Sequence, residues 1–128
     1  MPETHTLRLL PERFAICRLP ADAPAPPFPQ ASALHAVTRT AEELSVVCVE
    51  ANAPEEARVE RGFRCLKVEG PFDLGVVGVM ASLAVPLARA GVSVFVVSTF
   101  DTDYVLVRDP QLEDGIRALE AEGHRVLR

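Results

Sequence analysis

A chain of 128 residues, 48% of them apolar and with a net charge of −5, holds material for one compact core or two very small ones. Its arginines are interspersed with acids, so a nucleic-acid backbone finds no basic footprint and is not expected as a partner. No run of about eighteen apolar residues occurs, and Met1-Pro2-Glu3-Thr4-His5 has no basic segment leading into a hydrophobic one, so the expectation is a cytoplasmic protein without membrane contact.

Leu7 to Leu10 and Phe14 to Leu19 read as two short strands separated by the turn residues Pro11-Glu12. Prolines at 20, 24, 26, 27 and 29 then exclude both a helix and a central strand, leaving a loop that can run in extended polyproline form. Leu34 to Arg39 and Leu44 to Glu50 follow as strands, with the polar Thr40-Ala41-Glu42-Glu43 between them. Pro54 and three glutamates predict one or two helical turns over Ala53 to Arg61, stopped by Gly62.

From Phe63 the signals sharpen. A strand runs to Val68 and closes at Gly70-Pro71; after Leu74 the residues Val76, Val79, Met80, Leu83 and Leu87 return at three- and four-residue steps, which places them on one helical face ending at Gly91. Pro86 inside that helix frees the Ser82 carbonyl, so Ser82 marks a bend rather than a nucleophile. Val92 to Val97 and Tyr104 to Val107 form a hairpin across Phe100 to Asp103. Asp109 as cap and Pro110 open a second helix with Leu112, Ile116 and Leu119 on its buried side; Gly123 ends it, and His124 to Leu127 is the last strand.

The resulting β-α-β-β-α-β order predicts an α+β, ferredoxin-like domain with a four-stranded antiparallel sheet and both helices on one face. Leu106 and Leu83 are expected to meet across sheet and helix. Because Val92 to Val97 is apolar on successive residues, its faces or edge need a cover, from the rest of the chain or from a second copy. Thr38-Arg39-Thr40 leading to Leu44-Ser45-Val46-Val47 echoes Thr99-Phe100-Asp101 leading to Tyr104-Val105-Leu106-Val107. Residues 1–60 are therefore read as a degenerate copy of the unit at 61–128, with the proline-rich loop in place of its first helix.

Little in the chain supports catalysis. Cys17, Cys48 and Cys65 lack C-x-x-C spacing and sit in apolar stretches, as buried thiols do. His5, His35 and His124 have no partner at metal spacing, and neither a G-x-S-x-G motif nor a phosphate-binding Gly-Lys-Ser/Thr occurs. Asp101 and Asp103 share a turn, where aspartates commonly bond their own backbone; a metal would need further ligands. Gly75 and Gly78 near a helix start each cost about 1 kcal/mol relative to alanine. They are explained either by close helix-to-sheet contact or by a ligand approaching the unpaired N–H groups there.

The stretch Gly70-Pro71-Phe72-Asp73-Leu74-Gly75-Val76-Val77-Gly78-Val79, with Ala90-Gly91-Val92-Ser93-Val94-Phe95 and Ser98-Thr99-Phe100-Asp101-Thr102-Asp103-Tyr104-Val105-Leu106-Val107, resembles an ACT domain. More narrowly, Ser98 to Tyr104 resembles the small tandem-ACT proteins related to the cytosolic arginine sensors. The resemblance implies a regulatory module that binds an amino-acid effector without turnover, needs no cofactor or metal, pairs as a homodimer or within the chain, and acts on a protein partner. It also implies a ligand site in which Asp73, Leu74, Gly75, Val76, Val77 and Gly78 supply backbone groups and Thr99, Phe100 and Asp103 supply the hairpin side. Leu74 stands where a proline is common in the family. The competing reading is a structural association module that has lost its ligand.

Overall fold

The computed structural model of the protein describes residues 4–70 and 77–128. Among them are eight strands and two α-helices: β1 (Thr6–Leu9), β2 (Phe14–Leu19), β3 (Ala36–Arg39), β4 (Leu44–Val49), β5 (Arg58–Val68), α1 (Val79–Arg89), β6 (Val94–Ser98), β7 (Asp103–Arg108), α2 (Leu112–Ala121) and β8 (Arg125–Leu127). The chain divides into two compact units, Glu12–Phe63 on one hand and Met1–Pro11 with Arg64–Arg128 on the other.

In the Glu12–Phe63 unit the strands lie in the order β3-β4-β2-β5, each antiparallel to its neighbour. Alternation along β2 and β4 puts Ala15, Cys17, Leu19, Leu44, Val46 and Cys48 into one small core. What packs on it is irregular chain: Ala23 from the proline-rich loop and Ala53 and Ala57 from the segment before β5. This is a β-α-β-β-α-β order with loops in both helix places, and it spans Glu12–Phe63 rather than the expected residues 1–60, since Met1–Pro11 belongs to the other unit.

The predicted helical turns over Ala53 to Arg61 are not there. A single 3-10 turn, Glu50–Asn52, precedes a strand that begins at Arg58, because pairing of Arg58, Val59 and Glu60 with Arg18, Cys17 and Ile16 outweighs the local helix-start signal. Gly62 does not stop a helix either. Its φ of +80° accommodates an extra residue in β5, opposite a register shift between Phe14 and Ile16. The Gly62 N–H donates to Glu50 Oε2 at 2.7 Å.

The other unit takes β5 from Arg64 onward as its first strand, and its order is β6-β7-β5-β1-β8. The β-α-β-β-α-β succession is the expected one, but the sheet has five strands rather than four. β1, from the start of the chain, lies between the first and last strands of that succession, antiparallel to β5 and parallel to β8. Both helices contribute to one cluster, in which Leu83 and Leu87 of α1 and Leu112, Ile116 and Leu119 of α2 join Leu7, Leu66, Val68, Val105 and Val107. Leu106 is fully buried but is no member of that cluster. With Val105 and Val107 turned to the helices, alternation sends Leu106 to the opposite face, so the expected pairing with Leu83 does not occur.

Asp109 does not cap α2. It opens the 3-10 turn Asp109–Gln111 that leads into the helix, and its Oδ1 lies 3.5 Å from Arg64 Nη1. Pro86 lies inside α1, which runs on through it to Arg89. The Ser82 carbonyl it frees is met by His124 Nε2 at 2.9 Å, while His124 Nδ1 accepts the His5 N–H at 3.0 Å. An Nδ1 that accepts leaves the proton on Nε2, so a neutral ring serves as donor and acceptor together. His124, 5% exposed, thereby ties the start of β1, the middle of α1 and the approach to β8.

Candidate functional site

The hairpin β6–β7 is closed by a turn whose bonds come from two threonines. Thr99 N–H donates to the Thr102 carbonyl at 2.8 Å, and the Thr102 N–H donates to Thr99 Oγ1 at 3.3 Å. Thr99 is thus spent on the turn itself. Phe100, at the tip, is 78% exposed, and Asp101 beside it is exposed as well. Asp103 starts β7, where its Oδ1 accepts from Ser98 Oγ at 2.5 Å. That bond orients the carboxylate.

Thr102 is the residue that the sequence reading missed. It is 8% exposed, and its hydroxyl donates to the carbonyl of Val68 at 2.6 Å. Val68 is the last residue of β5, so the bond fixes the hairpin turn to the strand end from which the chain departs toward α1. Nothing in the string Ser-Thr-Phe-Asp-Thr-Asp distinguishes Thr102 from an ordinary turn threonine, since the bond reaches across 34 positions of sequence.

Of the residues expected on the helix side, Asp73, Leu74, Gly75 and Val76 lie outside the described residues. Val77 is 90% exposed, and Gly78 stands before α1 with φ +88°, a left-handed conformation that glycine adopts without strain. The Gly78 carbonyl accepts the Ser82 N–H at 3.0 Å, the first bond of the helix. A β-carbon at Gly78 would meet no atom within 4 Å. At this position the backbone conformation, not packing against a neighbour, favours glycine.

Elsewhere the reactive residue types are occupied or buried. Burial pushes the Cys17 thiol up, and burial together with the adjacent Cys17 pushes Cys48 up to about 12. Such thiols stay protonated and are poor nucleophiles. Cys65 is buried as well. Among the described residues no group of three or more His, Cys, Asp or Glu is arranged to hold a metal ion, and no helix is long and apolar enough to cross a membrane.

Comparison with known proteins places this geometry. The ACT domain family matches residues 58–121, and a second family, described as an N-terminal domain, matches residues 12–56. A protein of Agrobacterium tumefaciens, solved by X-ray crystallography, is 37% identical; the alignment covers 98% of this chain and 93% of that one, with a TM-score of 0.89. A protein of unknown function from Vibrio cholerae, described as a possible transport protein, superposes with a TM-score of 0.67 at 19% identity, covering 93% of this chain and 90% of that one. The ligand-free regulatory subunit of aspartate kinase from Thermus thermophilus superposes with a TM-score of 0.65 at 13% identity, covering 94% of this chain and 99% of that one. These last two likenesses are of fold alone. No curated protein matches the chain.

Proposed function

Since the chain belongs to the ACT-domain family, we propose that it is a regulatory module that binds an amino-acid effector without turning it over. The observation that carries this reading is the hairpin turn itself: bolted to the end of β5 through Thr102, it presents the exposed Phe100 and the oriented carboxylate of Asp103. Asp103 would take the cationic group of the ligand, an α-ammonium or a basic side chain. Val77 and Gly78, with Asp73, Leu74, Gly75 and Val76, would supply the backbone N–H groups for its carboxylate. Thr99 would act through the turn.

The protein works in the cytoplasm on this reading and transmits occupancy to a protein partner, since a ligand shifts an equilibrium only by binding one state better than another. Pairing is part of it. Among the described strands β6 pairs with β7 alone, and it carries Phe95 at 37% exposure on an open edge. A strand edge of this kind invites a second copy. Regulation of an enzyme, as in the aspartate kinase subunits of the same fold, is the corresponding mode of action.

Calorimetric titration of the full chain with each of the twenty amino acids tests the reading. We expect one to bind, and Asp103→Ala to weaken that ligand by about 1.5 to 3 kcal/mol, the loss of a hydrogen bond to a charged group. No binding by any of them would overturn it in favour of an association module. That alternative has its own observation: the outward face of α1 carries Ala81, Val85 and Ala88, all exposed and all apolar.

A further inference from the structure

The fixed position of the hairpin turn rests on one side chain, and we propose that Thr102 is the positioning residue of the ligand site. The inference deepens the reading above and rests on it for the ligand, but its structural part stands independently. The two units supply an internal control. The turn between β3 and β4 is built in the same way as the one between β6 and β7: Thr40 N–H donates to the Glu43 carbonyl at 2.9 Å, and Glu43 N–H donates to Thr40 Oγ1 at 3.1 Å.

Thr40 and Glu43 therefore occupy the places that Thr99 and Thr102 occupy in the other hairpin. The turn needs only a threonine at its first position and a backbone at its fourth. Nothing in its own hydrogen bonding requires a threonine at the fourth, since Glu43 closes the same turn with a partly exposed side chain. Thr102 is instead buried, and its hydroxyl is committed to Val68. A hydroxyl donated to a β5 carbonyl from the fourth residue of the turn sets the distance between the tip and the strand end. Phe100 and Asp103 lie on either side of that anchor. Without it the turn would still close, but it could pivot on the two strands that carry it.

Two substitutions separate positioning from turn formation. Thr102→Val keeps the shape and removes the donor; Thr102→Ser keeps the donor and loses a methyl. Working well below the unfolding temperature of each variant, we expect Thr102→Val to weaken the best-binding amino acid by about tenfold and Thr102→Ser by no more than about twofold, as one hydrogen bond is worth. In the ligand-free protein, backbone order parameters at Phe100 and Asp103 should fall in Thr102→Val and recover in Thr102→Ser, with those of α2 unchanged. A Thr102→Val protein that keeps wild-type order at Phe100 and Asp103 would overturn the proposal, as would wild-type affinity in that variant. If the wild-type protein binds none of the twenty amino acids, the ligand reading fails by itself, and the order parameters still decide what Thr102 does.

Discussion

The two units share a strand plan and differ in what covers it. Numbering the strands of each β-α-β-β-α-β succession from one to four, the Glu12–Phe63 unit has the order 2-3-1-4, and the helical unit has the same order with β1 inserted between the first and the fourth. In the helical unit, leucines from both helices fill the core. In the other, Ala23, Ala53 and Ala57 of the loops pack against a core of Ala15, Cys17, Leu19, Leu44, Val46 and Cys48. Strand order and turn geometry thus survive the loss of the helices, and so do large strand residues such as Leu19 and Leu44; what is lost is the facing row of long side chains, because a loop cannot present one at a regular spacing.

The largest expected effect tests that difference directly. Leu83→Ala removes a fully buried side chain that α1 holds against the sheet and should cost about 2 to 5 kcal/mol. Val46→Ala, in the small core, should cost about 1.5 kcal/mol, the transfer value of the carbons removed. Denaturant midpoints measured on both variants would sharpen the comparison; equal losses would break it, since two carbons of the small core would then cost as much as three of the larger one.

A smaller effect belongs to the helical unit alone. His124 meets two backbone groups, the His5 N–H and the Ser82 carbonyl that Pro86 releases. His124→Ala should cost about 1 to 3 kcal/mol in all, since water reaches at least one of these groups once the ring is removed. Amide exchange at His5 should accelerate in that variant, while exchange along β2 and β4 stays as it was. Unchanged protection at His5 would mean that the ring does not hold β1 in place.

These residues also mark how far the sequence could be read. The helices were legible because Val79, Leu83 and Leu87, then Leu112, Ile116 and Leu119, repeat at helical spacing, and the released Ser82 carbonyl followed from the missing N–H of proline. The partner that meets this carbonyl was not legible, since His124 lies 42 positions from Ser82. Arg58 to Arg61 has one apolar residue among four, so the local pattern carried no strand signal and only pairing with β2 made it one. Val105-Leu106-Val107 is apolar throughout and does not say which face meets the helices. For the candidate site, the turn and its aspartate were visible as a motif. The Thr102 bond to Val68, a contact between distant residues, was not.

The smallest effect in this series is an alkaline one, and it belongs to the unit without helices. Cys17 and Cys48 both lie there, and burial favours their neutral form; Cys48 is moved from 9.0 to about 12. A thiol whose folded pKa lies above its unfolded value keeps its proton in the native state after the unfolded chain has lost it. The stability it contributes is therefore complete below pH 9 and declines as the pH rises from 9.0 toward about 12. For one such proton the slope is about 1.4 kcal/mol per pH unit, and the raised Cys17 thiol adds to it in the same direction. Cys48→Ala should flatten the larger part of that decline while leaving stability near neutrality changed only by a small cavity. Amide exchange followed from pH 8 to 10.5 should show β2 and β4 losing protection before α1 and α2. A decline of equal slope in the Cys48→Ala protein would assign the alkaline sensitivity to other groups and remove this contrast between the units.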